Sequence, residues 1–186
     1  MKQKNSRQTK AKLTRDLSVF NYNSFLHEIS KKLTEGEYKI AIYGLGHVGA
    51  PLAAAWLRAG LFVIGIDKSA KVIELASNGK SHIHEPGVNE AFTRGVSEKR
   101  FVIDQDLVRA SRDSFLKMIC VPVLAQDGKA DLNTVKKVAK EIGRGMKKND
   151  IISLNPSVPP GTTESIVIPI LEKNSGLKIE EDFYVV

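Results

Sequence analysis

The sequence predicts an α/β fold: a doubly wound, six-stranded parallel sheet with a short helical extension at its amino end. Six short apolar runs rich in β-branched residues alternate with stretches of helical periodicity, a pattern typical of strands and helices in turn. Parallel neighbours need long crossover connections, and these helical stretches supply them. A glycine-rich segment follows the first run directly, as a sharp strand-to-helix turn requires.

The predicted strands are the runs 40–43, 62–66, 101–103, 117–121, 151–154 and 183–186. The predicted helices between them are 48–59, 70–78, 88–96, 132–146 and 163–173. Ahead of the sheet, four apolar residues at helical spacing predict one amphipathic helix over residues 23–33, and Gly36 is its expected end.

The net charge of +7 lies almost wholly at the start of the chain. Residues 1–15 hold six Lys and Arg and no acid, so they carry +6 and the remaining 171 residues carry +1 (7 − 6). No aromatic residue in that segment is available to stack on a base. We therefore expect a disordered basic leader over residues 1–16 and no specific nucleic-acid site.

Composition excludes several classes of protein. A single cysteine excludes a disulfide framework and a cysteine-based zinc cluster, and it suits a reducing compartment. The apolar stretches are too short to span a bilayer, and no apolar segment follows the basic start as it would in a secretory signal. We expect a cytoplasmic protein with no membrane partner. His82 and His84 stand beside Glu85, but this spacing alone does not preform a metal site, so no metal is expected.

The most informative motif is the glycine loop. Residues 44–49 read Gly-Leu-Gly-His-Val-Gly, directly after an apolar run and before a helical stretch. In such a loop Gly44 permits the tight turn, Gly46 lets the backbone approach a pyrophosphate, and Gly49 lets the helix pack close to the strand. The N–H groups at the helix start then face the phosphates.

Asp67 completes the motif. It ends the next apolar run, 18 residues beyond Gly49. A carboxylate at this place can accept hydrogen bonds from both hydroxyls of an adenosine ribose. The same charge would repel a 2′-phosphate, which favours NAD over NADP. The neighbouring Lys68 weakens this preference slightly. The pattern therefore predicts a Rossmann domain that binds NAD in preference to NADP.

Further stretches follow the glycine loop in a recognisable order. They are Gly-Leu-Gly-His-Val-Gly-Ala-Pro-Leu-Ala at 44–53, Gly-Ile-Asp at 65–67, Glu-Pro-Gly at 85–87, Ile-Cys-Val-Pro at 119–122, Asp-Leu at 131–132 and Ser-Val-Pro-Pro-Gly-Thr-Thr at 157–163. The last stretch is far more specific than the glycine loop. In these stretches the chain, from about residue 39 to its end, resembles the nucleotide-sugar 6-dehydrogenases of the UDP-glucose, UDP-N-acetylmannosamine and GDP-mannose type.

The resemblance implies an enzyme that uses NAD to oxidise the C6 alcohol of a nucleotide sugar to a carboxylate. A cysteine thiolate in the family's second half holds the intermediate aldehyde as a thiohemiacetal. Neither the Gly-Gly-x-Cys-type segment around that cysteine nor the preceding Ser-Pro-Glu-Arg-like loop has a match here. We therefore expect the NAD-binding half of such an enzyme, truncated before the catalytic cysteine, without catalytic residues and without turnover. Cys120 lies in an apolar run and is expected to be a core residue.

The cofactor site implied by the loop and the resemblance comprises Gly44, Gly46, His47, Val48, Gly49, Asp67, Lys71, Val121, Val123 and Ser157. His47 is expected to cover the pyrophosphate and Lys71 to reach the adenosine ribose. Val121, Val123 and Ser157 are expected to flank the nicotinamide. The chain departs from the family where Val123 and Leu124 replace a Thr-Pro pair, and where Asn155 and Pro156 replace a Glu-Ser pair.

The expected domains are the leader at 1–16, the helical extension at 17–36 and the NAD-binding domain at 37–186. Dimerisation is expected only in a full-length protein, and the sugar is expected to be of the UDP-N-acetylmannosamine or UDP-glucose type. Two alternatives stay open. In one, the chain is a stand-alone NAD(H)-binding regulatory module that ends naturally at Val186. In the other, the leader binds nucleic acid with a steep salt dependence.

Overall fold

The computed structural model describes residues 22–126 and 129–186. Its strands are β1 Ile40–Tyr43, β2 Val63–Ile66, β3 Phe101–Asp104, β4 Leu116–Ile119, β5 Leu124–Gln126, β6 Lys129–Asp131, β7 Ile151–Leu154 and β8 Tyr184–Val185. Its helices are α1 Tyr22–Glu35, α2 Gly49–Arg58, α3 Ala70–Ser77, α4 Val88–Ser97, α5 Leu107–Arg112, α6 Asn133–Gly145 and α7 Ile168–Ser175. A π-helical turn, Thr163–Val167, leads directly into α7.

Six strands form one parallel sheet in the order β3–β2–β1–β4–β7–β8. In its centre, Ala41 of β1 stands opposite Ile64 of β2 and Lys117 of β4. The chain leaves β1 toward β2 on one side and enters β4 on the other, so the strand order reverses between β1 and β4. A crevice opens at such a switch point, past the carboxyl ends of the strands. The predicted six-stranded, doubly wound sheet is confirmed.

Two apolar cores cover the two faces of the sheet. Alternate residues of a strand point to opposite faces, so Ile40 and Ile42 face one core while Ala41 and Tyr43 face the other. The first core is closed by α2, α3 and α4, and Leu33 of α1 packs against it. The second core is closed by α5, α6 and α7. Because both faces are buried, the strands read as continuous apolar runs in the sequence.

On the second face of the sheet, α6 packs closely against the backbones of α5 and α7 at the positions where it carries glycine. A Cβ atom added to Gly145 would overlap the carbonyl oxygen of Val108 in α5. A Cβ atom on Gly143 would lie 3.1 Å from the carbonyl oxygen of Leu171 in α7. These glycines bring α6 close to both neighbours, and α6 in turn forms one wall of the crevice described below.

The structure adds two elements that the sequence analysis missed. The six-residue helix α5 is too short to show periodicity, and it is fixed locally because Asp106 Oδ1 accepts the N–H groups of Val108 and Arg109, both at 3.0 Å. The antiparallel hairpin β5–β6 follows β4, and each of its strands has only three residues. Such short segments give no reliable pattern.

The amino-terminal helix matches its prediction closely. It runs to Glu35, and Gly36 follows in the left-handed region with φ of +79°. The chain then enters the sheet past Tyr38, whose ring stacks on Phe115 with the centroids 4.1 Å apart.

The leader at 1–16 and the first part of the extension lie outside the described residues, so the domain boundaries stay a prediction. Within the described ranges, no helix is long and apolar enough to cross a membrane.

Candidate cofactor site

The glycine loop connects β1 to α2, and each of its glycines has a different surrounding. Gly44 has φ of +101°, and a Cβ atom there would lie 3.0 Å from the carbonyl oxygen of Cys120. A Cβ atom on Gly49 would overlap the carbonyl oxygen of Gly44. Gly46 is the opposite case, since a Cβ atom there would meet nothing within 4 Å. The loop is thus closed against the protein at two glycines and open on the side of the third.

The open side of the loop carries unused hydrogen-bond donors. Helix α2 begins at Gly49, and its preceding residue Val48 offers no side-chain cap. In the part of the chain that the structure describes, the backbone N–H groups of Gly46, His47 and Val48 donate to no acceptor, while the side chains of His47 and Val48 are exposed. Free N–H groups at the positive end of a helix form a binding place for an anion such as a phosphate.

Asp67 follows β2 and is tied to this loop. Its Oδ2 accepts the backbone N–H of Leu45 at 2.8 Å, and its Oδ1 accepts the backbone N–H of Ser69 at 2.9 Å. The residue is half-buried. An ionised carboxylate has about four acceptor positions, so each oxygen keeps capacity for a further donor. The carboxylate is therefore oriented by the backbone and still able to accept hydroxyl groups.

A cleft of about 360 Å³ lies beyond the carboxyl ends of β1, β2 and β4, at the switch point of the sheet. Its floor consists of residues that end or follow the strands, namely Tyr43, Gly44, Ile66, Asp67, Val121 and Pro122. Its walls come from Lys68, Ile73, Gln105, Leu107, Thr134, Lys137 and Val138. A mostly apolar cleft of this size with one oriented carboxylate is suited to a small organic ligand such as a nucleoside.

Three of the ten residues expected in the cofactor site line this cleft: Gly44, Asp67 and Val121. Gly46, His47 and Val48 lie in the adjoining loop, and Gly49 is buried behind it. The structure thus brings Asp67 and the glycine loop together, whereas Lys71, which was also expected to reach the adenosine ribose, does not line the cleft.

The other three expected residues lie outside the cleft. Lys71 is exposed on α3. Val123 is half-buried and packs against the second core, and Ser157 is exposed in the segment that follows β7. Val123 and Ser157, two of the three residues expected beside the nicotinamide, therefore come from separate segments, one after β4 and the other after β7.

Asn155, one of the positions where the sequence was expected to depart from the family, comes directly after β7. Its backbone N–H donates to the carbonyl oxygen of Ile119 at 3.0 Å, which continues the ladder between β7 and β4. Its side-chain Oδ1 is buried and has no hydrogen-bond partner among the described residues. Buried polar atoms are nearly always paired, so the unpaired Oδ1 of Asn155 is an exception among the described residues.

Several lining residues were missed by the sequence analysis. Thr134, Lys137 and Val138 share one face of α6 at i, i+3 and i+4 spacing, a pattern visible in the sequence once α6 is known to wall the cleft. Gln105 and Leu107 had no such pattern, because Gln105 lies just before the short helix α5 and Leu107 is its first residue.

Cys120 follows β4 and belongs to the first core, with 7% of its surface exposed. Burial raises the pKa of its thiol to about 12. The thiol therefore stays protonated near neutral pH, and a protonated thiol is a poor nucleophile. This agrees with the structural role expected from the sequence.

In the described ranges no group of three or more His, Cys, Asp or Glu could hold a metal, and His84 and Glu85 are exposed.

Comparison with known proteins identifies the family. Residues 38–186 match the model of the UDP-glucose/GDP-mannose dehydrogenase family, NAD-binding domain. A GDP-mannose 6-dehydrogenase of Pseudomonas savastanoi pv. phaseolicola is 39% identical over 149 residues, which are 78% of this chain and 34% of that protein. A UDP-N-acetyl-D-mannosamine dehydrogenase of Pyrococcus horikoshii is 29% identical over 147 residues, 79% of this chain and 35% of that protein.

Solved structures agree. The crystal structure of GDP-mannose dehydrogenase from Pseudomonas aeruginosa superposes with a TM-score of 0.75 at 36% identity, covering 78% of this chain and 34% of that one. The chain belongs to the UDP-glucose/GDP-mannose dehydrogenase family and represents its NAD-binding domain. It spans about a third of the length of the curated relatives it matches.

Proposed function

We propose that this chain binds NAD through residues 44–49 and Asp67 and serves as the cofactor half of a nucleotide-sugar 6-dehydrogenase. One observation carries the proposal: Asp67 accepts the N–H of Leu45 at 2.8 Å, so an acceptor suited to a ribose stands beside a loop with free N–H donors. The cleft of about 360 Å³ that Asp67 helps to line supports it. Membership in a dehydrogenase family favours this function over the stand-alone regulatory module.

In this proposal the pyrophosphate lies on the open side of the glycine loop. The N–H groups of Gly46, His47 and Val48 donate to it, and the exposed His47 side chain covers it. Asp67 accepts the hydroxyls of the adenosine ribose with the oxygen capacity that its two backbone bonds leave free. The adenine then occupies the apolar part of the cleft.

The remaining expected residues complete the proposed site. Lys71 approaches the adenosine ribose from α3, while Val121, Val123 and Ser157 flank the nicotinamide. Bound NAD supplies a hydride acceptor for the oxidation of an alcohol. This chain's own residues bind and orient the cofactor, and the two valines exclude water on one side of it. Cys120 supplies no nucleophile because it is buried and protonated, so we place the catalytic cysteine outside this chain.

The proposed substrate class is a nucleotide sugar oxidised at C6. The sequence favours a UDP-N-acetylmannosamine or UDP-glucose type, and relatives named for GDP-mannose widen the choice of nucleotide. We extend the proposal to a homodimer formed only by the full-length protein in the cytoplasm. The domain boundaries at residues 16 and 36 are part of the same proposal.

Calorimetric titration of NAD into the purified chain tests the function, with Asp67→Ala as the variant. Asp113→Ala is the matched control, because that carboxylate is exposed after α5 and does not line the cleft. Losing a charge-assisted contact to the ribose should weaken NAD binding about tenfold or more. The control should bind as the wild type does. If Asp67→Ala also binds NAD as tightly as the wild type, the assigned role of Asp67 is wrong.

A further inference from the structure

Tyr43 ends the central strand β1 and lies inside the second core. Its side chain is only 1% exposed, and it forms part of the floor of the cleft. Its hydroxyl donates to the carbonyl oxygen of Leu107 at 3.0 Å. Leu107 is the first residue of α5 and lines the same cleft. One hydrogen bond thus joins the central strand to a wall of the cleft.

The other hydrogen bonds of that wall lie within its own segment or lead to α6, where the Ser111 hydroxyl of α5 donates to the carbonyl oxygen of Ile142 at 2.8 Å. Arg109 pairs with Asp104 through two hydrogen bonds of 2.8 and 2.6 Å, and the guanidinium is largely exposed. Asp106 caps α5. These bonds shape the segment that contains Gln105 and Leu107, but they do not tie it to β1. The Tyr43 hydroxyl provides that tie, and burial raises the pKa of Tyr43, so the hydroxyl stays protonated and able to donate.

We propose that Tyr43 is a positioning residue for the cofactor: its hydroxyl holds the start of α5 against β1 and so sets the width of the cleft that receives the adenosine half of NAD. This inference rests on the proposed function. Phenylalanine would fill the same space without the hydroxyl, so the ring supports the core and the hydroxyl positions the wall. Replacing tyrosine with phenylalanine removes only the hydroxyl and therefore separates the two contributions.

Tyr43→Phe in the full 186-residue chain is the direct test. NAD, ADP-ribose and AMP share the adenosine half, so all three should bind more weakly by a common factor of about three to ten, the equivalent of one hydrogen bond. Tyr184→Phe is the matched control, because Tyr184 is 48% exposed at the edge strand β8. The control should leave the three affinities unchanged.

Hydrogen exchange distinguishes a local role from a general loss of stability. The amides of residues 105–108 should exchange faster in Tyr43→Phe, while those of β1 and β4 keep their wild-type rates. Asp106→Ala loosens the same wall by removing the cap of α5 without altering Tyr43. It should also weaken AMP binding, and unchanged AMP binding in Asp106→Ala would contradict the role of this wall even if Tyr43→Phe folds poorly.

The outcomes separate the two levels of the proposal. A wild-type chain that binds none of the three ligands contradicts the proposed function itself. A wild-type chain that binds them, with Tyr43→Phe within twofold of it for AMP, contradicts only the positioning role. Weaker NAD binding with unchanged AMP binding would also overturn that role, because the loss would then lie outside the adenosine half.

Discussion

The carboxylate of Asp67 accepts the backbone N–H of Leu45 at 2.8 Å, across 22 residues of sequence. This bond joins the end of β2 to the loop that follows β1, and Ser69 fixes the other oxygen at 2.9 Å. The loop and the acid are therefore one preorganised unit before any ligand binds. Preorganisation of this kind favours binding, because the ordering cost is met on folding.

The glycine loop separates folding from binding in a way that two alanine variants expose. Gly49→Ala places a Cβ atom on the carbonyl oxygen of Gly44, so backbone must move and the free energy of unfolding should fall by about 1–3 kcal/mol or more. Gly46→Ala meets open space, and its unfolding free energy should stay within about 1 kcal/mol of the wild type. Urea denaturation measures both.

Among the folded proteins, we expect Gly46→Ala to impair NAD binding more than Gly49→Ala does, which is the reverse of their order in loss of stability. The Cβ atom of Gly46→Ala projects where we place the pyrophosphate, so NAD affinity should drop although stability is kept. A Gly46→Ala chain that binds NAD normally would mean that the phosphates do not approach this side of the loop.

The buried ion pair between Lys117 and Asp150 predicts an unusual dependence of stability on pH. The Nζ of Lys117 lies 2.5 Å from Oδ2 of Asp150, and neither side chain is more than 3% exposed. Burial lowers the pKa of Lys117 from 10.5 to about 8 and raises the pKa of Asp150. Between about pH 8 and the ordinary lysine value, the unfolded state thus binds more protons than the folded state.

Stability attributable to Lys117 should therefore rise as pH rises from about 8 to 10, by about 1–3 kcal/mol. Urea denaturation at several pH values across this range measures the free energy of unfolding of the wild type and of the double variant Lys117→Met/Asp150→Asn. The difference between the two isolates the buried pair, because all other titrating groups are shared. The single variant Lys117→Met leaves a buried carboxylate unpaired and should lose about 3–5 kcal/mol. A wild-type difference that is flat with pH would show that the lysine is not desolvated.

Cys120 should behave as a core thiol. Its burial and its pKa of about 12 predict that iodoacetamide leaves the native chain unlabelled at neutral pH and labels it once urea unfolds it. Mass spectrometry reports the added group directly. Fast labelling of the folded chain would contradict both the burial and the exclusion of Cys120 from surface chemistry.

The sheet was predictable because its strands are buried on both faces, as Ile40 and Ala41 illustrate from opposite cores. The glycine loop and Asp67 were predictable because their chemistry depends on spacing along the chain. The cleft walls were not. Leu107 belongs to a helix of six residues, and Lys137 lines the cleft only because α6 packs beside α5. Contacts between separate elements leave no periodic trace in the sequence.

The most direct test of the central claim is a calorimetric titration of the wild-type chain with NAD and NADP under identical conditions. In the proposed site the oriented carboxylate of Asp67 accepts hydrogen bonds from the ribose hydroxyls and repels a 2′-phosphate, so NAD should bind at least about tenfold more tightly than NADP. Asp67→Ala should largely abolish this preference. Equal affinities for the two cofactors in the wild type, or binding of neither, would contradict the assignment of the loop and Asp67 as an NAD site.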